Sequence, residues 1–162
     1  MTQLTPTSYV VLGLLDLSGP STPYALKQTW GQIGALWSVP HTQIYTEPTR
    51  LAADGYVKEE REEGGRRRRT YTITAKGRQA LRDWLATPTA GLEDLRDPGL
   101  LQLFFGADPK RLAEVQLEAH QRKLDEYLAM RGLAEGGPAL ALEAGIGHER
   151  EYVRFWKRLA GR

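Results

Sequence analysis

One stretch constrains this chain more than any other: residues 38–74, SVPHTQIYTEPTRLAADGYVKEEREEGGRRRRTYTIT. Its first half, from Pro40 to Asp54, has helical spacing, with Ile44, Leu51 and Ala52 able to share one buried face. His41, Thr42, Gln43, Tyr45, Thr46 and Arg50 are then left pointing elsewhere, and each can hydrogen-bond. Gly55 follows the last periodic position, where a left-handed residue closes a helix. Val57 to Arg61 starts a strand, Gly64-Gly65 supplies a turn, and Arg69 to Ile73 returns. Four consecutive arginines, Arg66, Arg67, Arg68 and Arg69, sit at the hairpin tip. A polar-faced helix followed by a basic-tipped hairpin is the outline of a winged helix-turn-helix. In that architecture one helix enters a major groove while the hairpin reaches phosphate or minor groove, which implies a DNA-binding regulator of transcription.

The rest of the chain supplies what such a module needs. Thr5-Pro6 is a hydroxyl cap followed by a first-turn proline, and Val10, Val11, Leu14, Leu15 and Leu17 make an apolar face that ends at Ser18-Gly19-Pro20. Thr22-Pro23 repeats the signal for a second helix through Leu26 and Trp30 to about Ile33, with Tyr24, Lys27 and Gln28 on its polar side. Thr74 caps a fourth helix through Leu81, Trp84 and Leu85. The turn formers of 87–94 read as a linker, so the expected division is a winged-helix DNA-binding domain at 1–86 and a C-terminal helical domain at 87–162. Asp97-Pro98 opens a short helix ending near Phe105, and Asp108-Pro109 a long one reaching about Leu133. Gly136-Gly137-Pro138 breaks it, and a last helix lies between Ala139 and Leu159. The fold class is therefore mainly α, three helices and a two-stranded β-wing followed by a helical dimerisation module.

Leu112, Val115, Ala119, Leu124 and Leu128 trace a stripe along the long helix, and Tyr152, Phe155 and Trp156 an aromatic one along the last. Helices with such broad apolar faces either fold back on their own domain or pair between two chains. Pairing is the more economical solution, and a half-site reader normally needs a partner. The expected dimer residues are Leu112, Val115, Leu124, Leu128, Tyr152, Phe155 and Trp156.

Composition narrows the alternatives. There is no cysteine, which excludes disulfides and zinc-thiolate sites, and no apolar run long enough for a bilayer, so the expectation is a cytoplasmic protein without a membrane partner. The net charge of +2 is unevenly placed: residues 1–78 carry ten Lys/Arg against seven Asp/Glu, and 79–162 twelve against thirteen. No phosphate-binding glycine loop, nucleophile elbow or paired His-Glu metal motif is present, so neither catalysis nor a cofactor is expected. His41, His120 and His148 lack ligand spacing, which makes His41 a first-turn polar residue and not a metal ligand.

Several stretches together resemble the PadR family of transcriptional regulators: 4–15 in the first helix, Gly19-Pro20 with Tyr24-Ala25-Leu26, Gln43-Ile44-Tyr45 with 50–57 in the third, and 71–78 with Trp84-Leu85. The second half resembles the longer C-terminal module of one branch of that family through Leu100-Leu101, Leu103-Phe104-Phe105 and the two later helices. The resemblance implies a homodimer held by those helices, usually a repressor, whose DNA affinity a small aromatic or apolar effector lowers. The chain departs from the family pattern at Ala25, Thr46 and Pro48. Pro48 collides with the carbonyl of Ile44 at about 3 kcal/mol in a regular helix, which predicts a kink or an irregular first turn.

For the residues of the interface, two readings stand side by side. Gln43 presents a bidentate amide to adenine or is ordinary surface; Arg50 reaches guanine or phosphate or pairs with Glu47 or Asp54. Tyr45 lies on DNA backbone or packs between helices. Tyr24 and Lys27 anchor the second helix to phosphate. The wing arginines contact DNA or pair with Glu59, Glu60, Glu62 and Glu63 across the hairpin. Trp84, Phe105 and Trp156 line an effector cavity or are simply core, as are Trp37, Phe104 and Tyr127. The expected partner is double-stranded DNA, a pseudo-palindromic operator. A winged scaffold that binds protein and not DNA is the competing class; it calls for an apolar or acidic outer face on the third helix.

Overall fold

The computed structural model describes residues 3–33, 40–62, 68–92 and 96–161. Gly64-Gly65, Arg66, Arg67 and Trp37 lie outside them, as does the side chain of His41. The described chain forms, in order, α1 (Pro6–Ser18), α2 (Pro23–Ile33), α3 (His41–Ala53), β1 (Val57–Arg61), β2 (Arg69–Ile73), α4 (Ala75–Ala86), α5 (Pro98–Phe104), α6 (Pro109–Met130) and α7 (Gly136–Ala160). It divides into two compact units, Met1–Ala90 and Gly91–Arg162.

The helix starts of the first unit follow from side-chain chemistry. Thr5 caps α1 in a reciprocal box: Ser8 N–H donates to Thr5 Oγ1 at 3.4 Å, and Thr5 N–H donates to Ser8 Oγ at 2.8 Å. Thr22 Oγ1 accepts from Ala25 N–H at the head of α2, and Thr74 Oγ1 from Gly77 N–H at the head of α4. Gly19 and Gly55, at φ 73° and 75°, close α1 and α3 in the left-handed region. β1 and β2 pair antiparallel, Val57 opposite Ile73 through Arg61 opposite Arg69. Ser21, between α1 and α2, bridges to the free edge of β2, exchanging backbone hydrogen bonds of 3.0 and 2.9 Å with Tyr71. The core gathers Val11, Leu12, Leu14, Leu15, Leu26, Ile44, Leu51, Val57, Tyr71, Ile73 and Leu81 from every element of the unit. Gly77 lets α4 lie against that core, since a Cβ there would stand 2.2 Å from the Tyr56 carbonyl oxygen.

α3 continues through Pro48, whose ring is fully buried, and no break occurs. Its first turn is tight, with Gln43 N–H donating to the Pro40 carbonyl at 2.9 Å, and no side chain caps it.

In the second unit Asp97 and Asp108 cap α5 and α6, each accepting two backbone N–H groups. Two boundaries differ from expectation. α6 stops at Met130, with Gly132 at φ 86°, and α7 begins three residues earlier than predicted, so that Gly136-Gly137-Pro138 forms its first turn. A first-turn proline loses no helical hydrogen bond, because N–H groups there have no acceptor within the helix. α6 packs along α7 through Ala113, Leu117, Leu124 and Tyr127 against Leu142, Ile146, Val153 and Trp156. Among the described residues no helix is long and apolar enough to cross a membrane.

Candidate nucleic-acid interface

The buried side of α3 is Ile44, Glu47, Pro48 and Leu51, which turns Thr42, Gln43, Tyr45, Thr46 and Thr49 outward. Thr46 donates its hydroxyl to the Thr42 carbonyl at 3.1 Å, and Gln43 Oε1 accepts from the Thr7 hydroxyl of α1 at 2.9 Å. Beside this face, Tyr45 joins Thr22, Pro23 and Tyr24 from the head of α2 and Arg68 and Arg69 from the wing around one recess of about 440 Å³. Four side chains singled out from sequence, on three separate elements, thus border the same depression. Tyr24 is exposed, its hydroxyl accepting from Gln28 Nε2 at 2.8 Å, and Lys27, three residues on, is half-buried.

The wing is fixed to α3 by one phenol. Tyr71 is buried, and its hydroxyl donates to Glu59 Oε2 at 3.0 Å. That leaves the Thr49 hydroxyl of α3 to donate to it at 2.9 Å. Glu59 also receives Arg61 at 2.6 Å and, more distantly, Arg69 at 3.8 Å. The Arg61 hydrogen bond, with Tyr71 and the charge of Arg69 behind it, holds the Glu59 carboxyl below its ordinary range against a smaller opposing effect of burial. Arg69 is therefore partly engaged within the hairpin, while Arg68 borders the recess.

Of the two readings of Arg50, the structure shows the pairing with Glu47 and Asp54. Arg50 does not stand free for guanine or phosphate. Its guanidinium meets Glu47 at 2.5 and 2.9 Å, Ser8 Oγ at 2.8 Å and Asp54 at 3.7 Å. Ser8, wholly buried, donates to Glu47 Oε1 at 2.6 Å. Burial pushes the Glu47 carboxyl up, but the Arg50 and Ser8 hydrogen bonds outweigh it and leave the group below its ordinary range. The pairing of Arg50 with Glu47 is legible as an i, i+3 spacing. Ser8, 42 residues from Arg50 and 39 from Glu47, left no signal.

The expected dimer residues separate into two sets. Leu124 and Trp156 are buried within their own chain, Trp156 completely, because α6 and α7 seal against each other there. Val115, at 66% exposure, and Leu128 face outward, with Leu112 half-buried. The expected effector residues do not share a cavity in the second unit. Trp156 is enclosed, and Phe105 borders a recess of about 630 Å³ with Leu112 and Val115. Trp84 belongs to the first unit, stacked on Tyr9 at 4.5 Å. A larger cavity of about 800 Å³ lies between the head of α5 and the α6–α7 pair. There the Tyr152 ring sits between those of His120 and His148, at 4.5 and 4.6 Å, and His120 Nδ1 meets Glu149 at 2.7 Å. Burial, followed by Asp97 and Glu149, raises the Tyr152 phenol, which stays protonated at neutral pH. Among the described residues no group of three or more His, Cys, Asp or Glu is placed to hold a metal ion.

Comparison with known proteins agrees with this geometry. Residues 11–83 match the model of the transcriptional regulator PadR-like family. The negative transcriptional regulator PadR of Bacillus subtilis is 29% identical over 91% of each chain. The crystal structure of Bacillus subtilis PadR with operator DNA superposes with a TM-score of 0.80 at 25% identity over 99% of both chains. Its complex with p-coumaric acid superposes with a TM-score of 0.78 at 24% identity over 95% of this chain and 96% of that one. Residues 11–83 thus form a domain of the PadR-like family of transcriptional regulators, within a fold shared with Bacillus subtilis PadR along nearly the full length of both chains.

Proposed function

We propose that this chain acts as a homodimeric repressor that binds a pseudo-palindromic operator and is released by a small aromatic or apolar effector. The observation that carries the DNA-binding part is the shared recess: Tyr24, Tyr45, Arg68 and Arg69 come together beside the exposed polar face of α3. A surface of hydroxyls, amides and arginines suits phosphate and base edges, and offers little to an apolar protein partner. Thr42, Gln43 and Thr46 would face a major groove, with Tyr24, Tyr45 and Lys27 on backbone and the wing arginines extending the contact. Two copies would set the half-sites about one duplex turn apart, ~34–36 Å. Phe104, Phe105, Val115 and Leu128, exposed in the single chain, are the surface a second copy would cover.

The operator-bound and p-coumarate-bound forms of the Bacillus subtilis relative support both arms of the mechanism. An effector can act only by binding better to a dimer whose half-sites are wrongly spaced. The 800 Å³ cavity around Tyr152 offers a planar ligand an aromatic wall and protonated donors. Neither catalysis nor a metal enters this mechanism, and its setting is the cytoplasm.

The experiment is a gel shift on the DNA upstream of the protein's own gene at rising salt, with and without p-coumarate. The quadruple substitution of Arg66 to Arg69 by alanine should weaken binding to every sequence and flatten the salt dependence by up to about 0.9 in log–log slope per lost phosphate contact. An unchanged slope takes the wing out of the interface. No shift at low salt, with a protein recovered by pull-down, favours the scaffold.

A further inference from the structure

The Thr7–Gln43 hydrogen bond bears on what α3 reads, granted the operator binding proposed above. We infer that Gln43 reads its base through its amide NH2 group alone, and that Thr7 of α1 is the residue that sets this choice. A glutamine side chain has two recognition edges, a carbonyl that accepts and an NH2 that donates. Adenine is read by both at once, NH2 to N7 and carbonyl from the N6 amine, side by side against one base edge. Here Oε1 is turned back onto the protein, where it accepts the Thr7 hydroxyl at 2.9 Å. Swinging the amide to set both edges on one adenine competes with that bond.

The arrangement does not stand alone. Gln43, Glu47 and Arg50 follow one another at helical spacing along α3, and the start of α1 holds all three: Thr7 on Gln43, and Ser8 on both Glu47 and Arg50. Ser8 is in turn fixed by the capping box with Thr5. Gln43 is thus the exposed rung of a ladder whose other rungs are the buried Glu47 and the half-buried Arg50, and it is oriented before any DNA arrives. Pre-orientation of an exposed side chain lowers the entropy lost when it engages a ligand. The free edge donates, so it favours a base whose major-groove edge only accepts there, O6 and N7 of guanine or O4 of thymine, over adenine, whose N7 acceptor lies beside an N6 amine that the NH2 group cannot serve. Thr7 is a specificity-setting residue that touches no base itself.

The test is selection of binding sites from a randomised duplex library by the full-length protein and three variants. Gln43→Ala identifies the operator position that depends on Gln43, where preference should flatten. In the wild type that position should be guanine or thymine. Thr7→Val, which removes the hydroxyl at nearly constant volume, should shift it toward adenine by about tenfold relative to wild type, other positions unchanged. Thr7→Ser, which keeps the hydroxyl, should keep the wild-type base. Adenine at the Gln43-dependent position in the wild type overturns the inference. So does a Thr7→Val logo identical to wild type, or one weakened evenly at all positions. If the wild type enriches no site at all, operator binding itself fails, and this inference with it.

Discussion

The two units solve the same problem of burial in opposite ways. The first draws its core from four helices and both strands, and closes it so tightly that one backbone position admits no Cβ. The second has its main seam between α6 and α7, and leaves Phe104, Phe105 and Val115 at 82%, 78% and 66% exposure. A unit whose elements all meet in one core fixes the relative placement of its surface groups, which is what presenting side chains to a duplex requires. A helical pair with apolar groups on its outer sides retains the capacity to associate. One half is built to hold its shape and the other to acquire a neighbour.

Three substitutions probe that contrast, in falling order of effect on stability. Trp156→Ala empties the seam of the second unit and should cost about 4 kcal/mol in denaturant unfolding. A cost below about 1 kcal/mol would mean that the seam contributes little and that the second unit depends on its outer surface instead. Glu47→Gln keeps the shape of the buried cluster in the first unit but removes its charge, and should cost about 2 kcal/mol near neutral pH. The sign with pH follows from the lowered carboxyl. The ordinary value is 4.5, so the stabilisation is present above it and disappears as pH falls through the lower folded-state value. The gap in melting temperature between wild type and variant should therefore narrow below pH 4.5; a gap constant from pH 7 to pH 3 would detach the cluster from charge. Val115→Ser should change the stability of the single chain by less than about 0.5 kcal/mol while shifting sedimentation toward the monomer. Unaltered sedimentation would remove that face of α6 from the dimer surface.

What the sequence made legible was local. Thr5-Pro6, Thr22-Pro23, Asp97-Pro98 and Asp108-Pro109 announce their helices because capping and proline geometry act within four residues. The hairpin register follows from the length and alternation of its strands. The Glu47 and Asp54 partners of Arg50 were legible as helical spacings, but its third partner, Ser8, was not, because it is distant in sequence and sits within an apolar stretch where a serine looks incidental. The expected dimer stripe on α6 divides between a buried and an exposed side for a different reason. An amphipathic helix with apolar residues on two sides offers two nearly equivalent faces, and periodicity alone does not say which one its own chain takes. Ala113 and Leu117 went inward, and Leu112 and Val115 were left at the side. For α7, Pro138 suggested interruption, whereas a proline in the opening turn leaves every later hydrogen bond intact.

The bridge between Ser21 and Tyr71 has a mechanical consequence. Backbone bonds in both directions make the α1–α2 connection a third partner at the middle of the hairpin ladder, and the Tyr71 hydroxyl clasps Thr49 of α3 from the same point. The strand that carries the wing is therefore braced from two sides at one residue, so a tilt of α3 loads the hairpin through the same phenol that the α1–α2 connection holds.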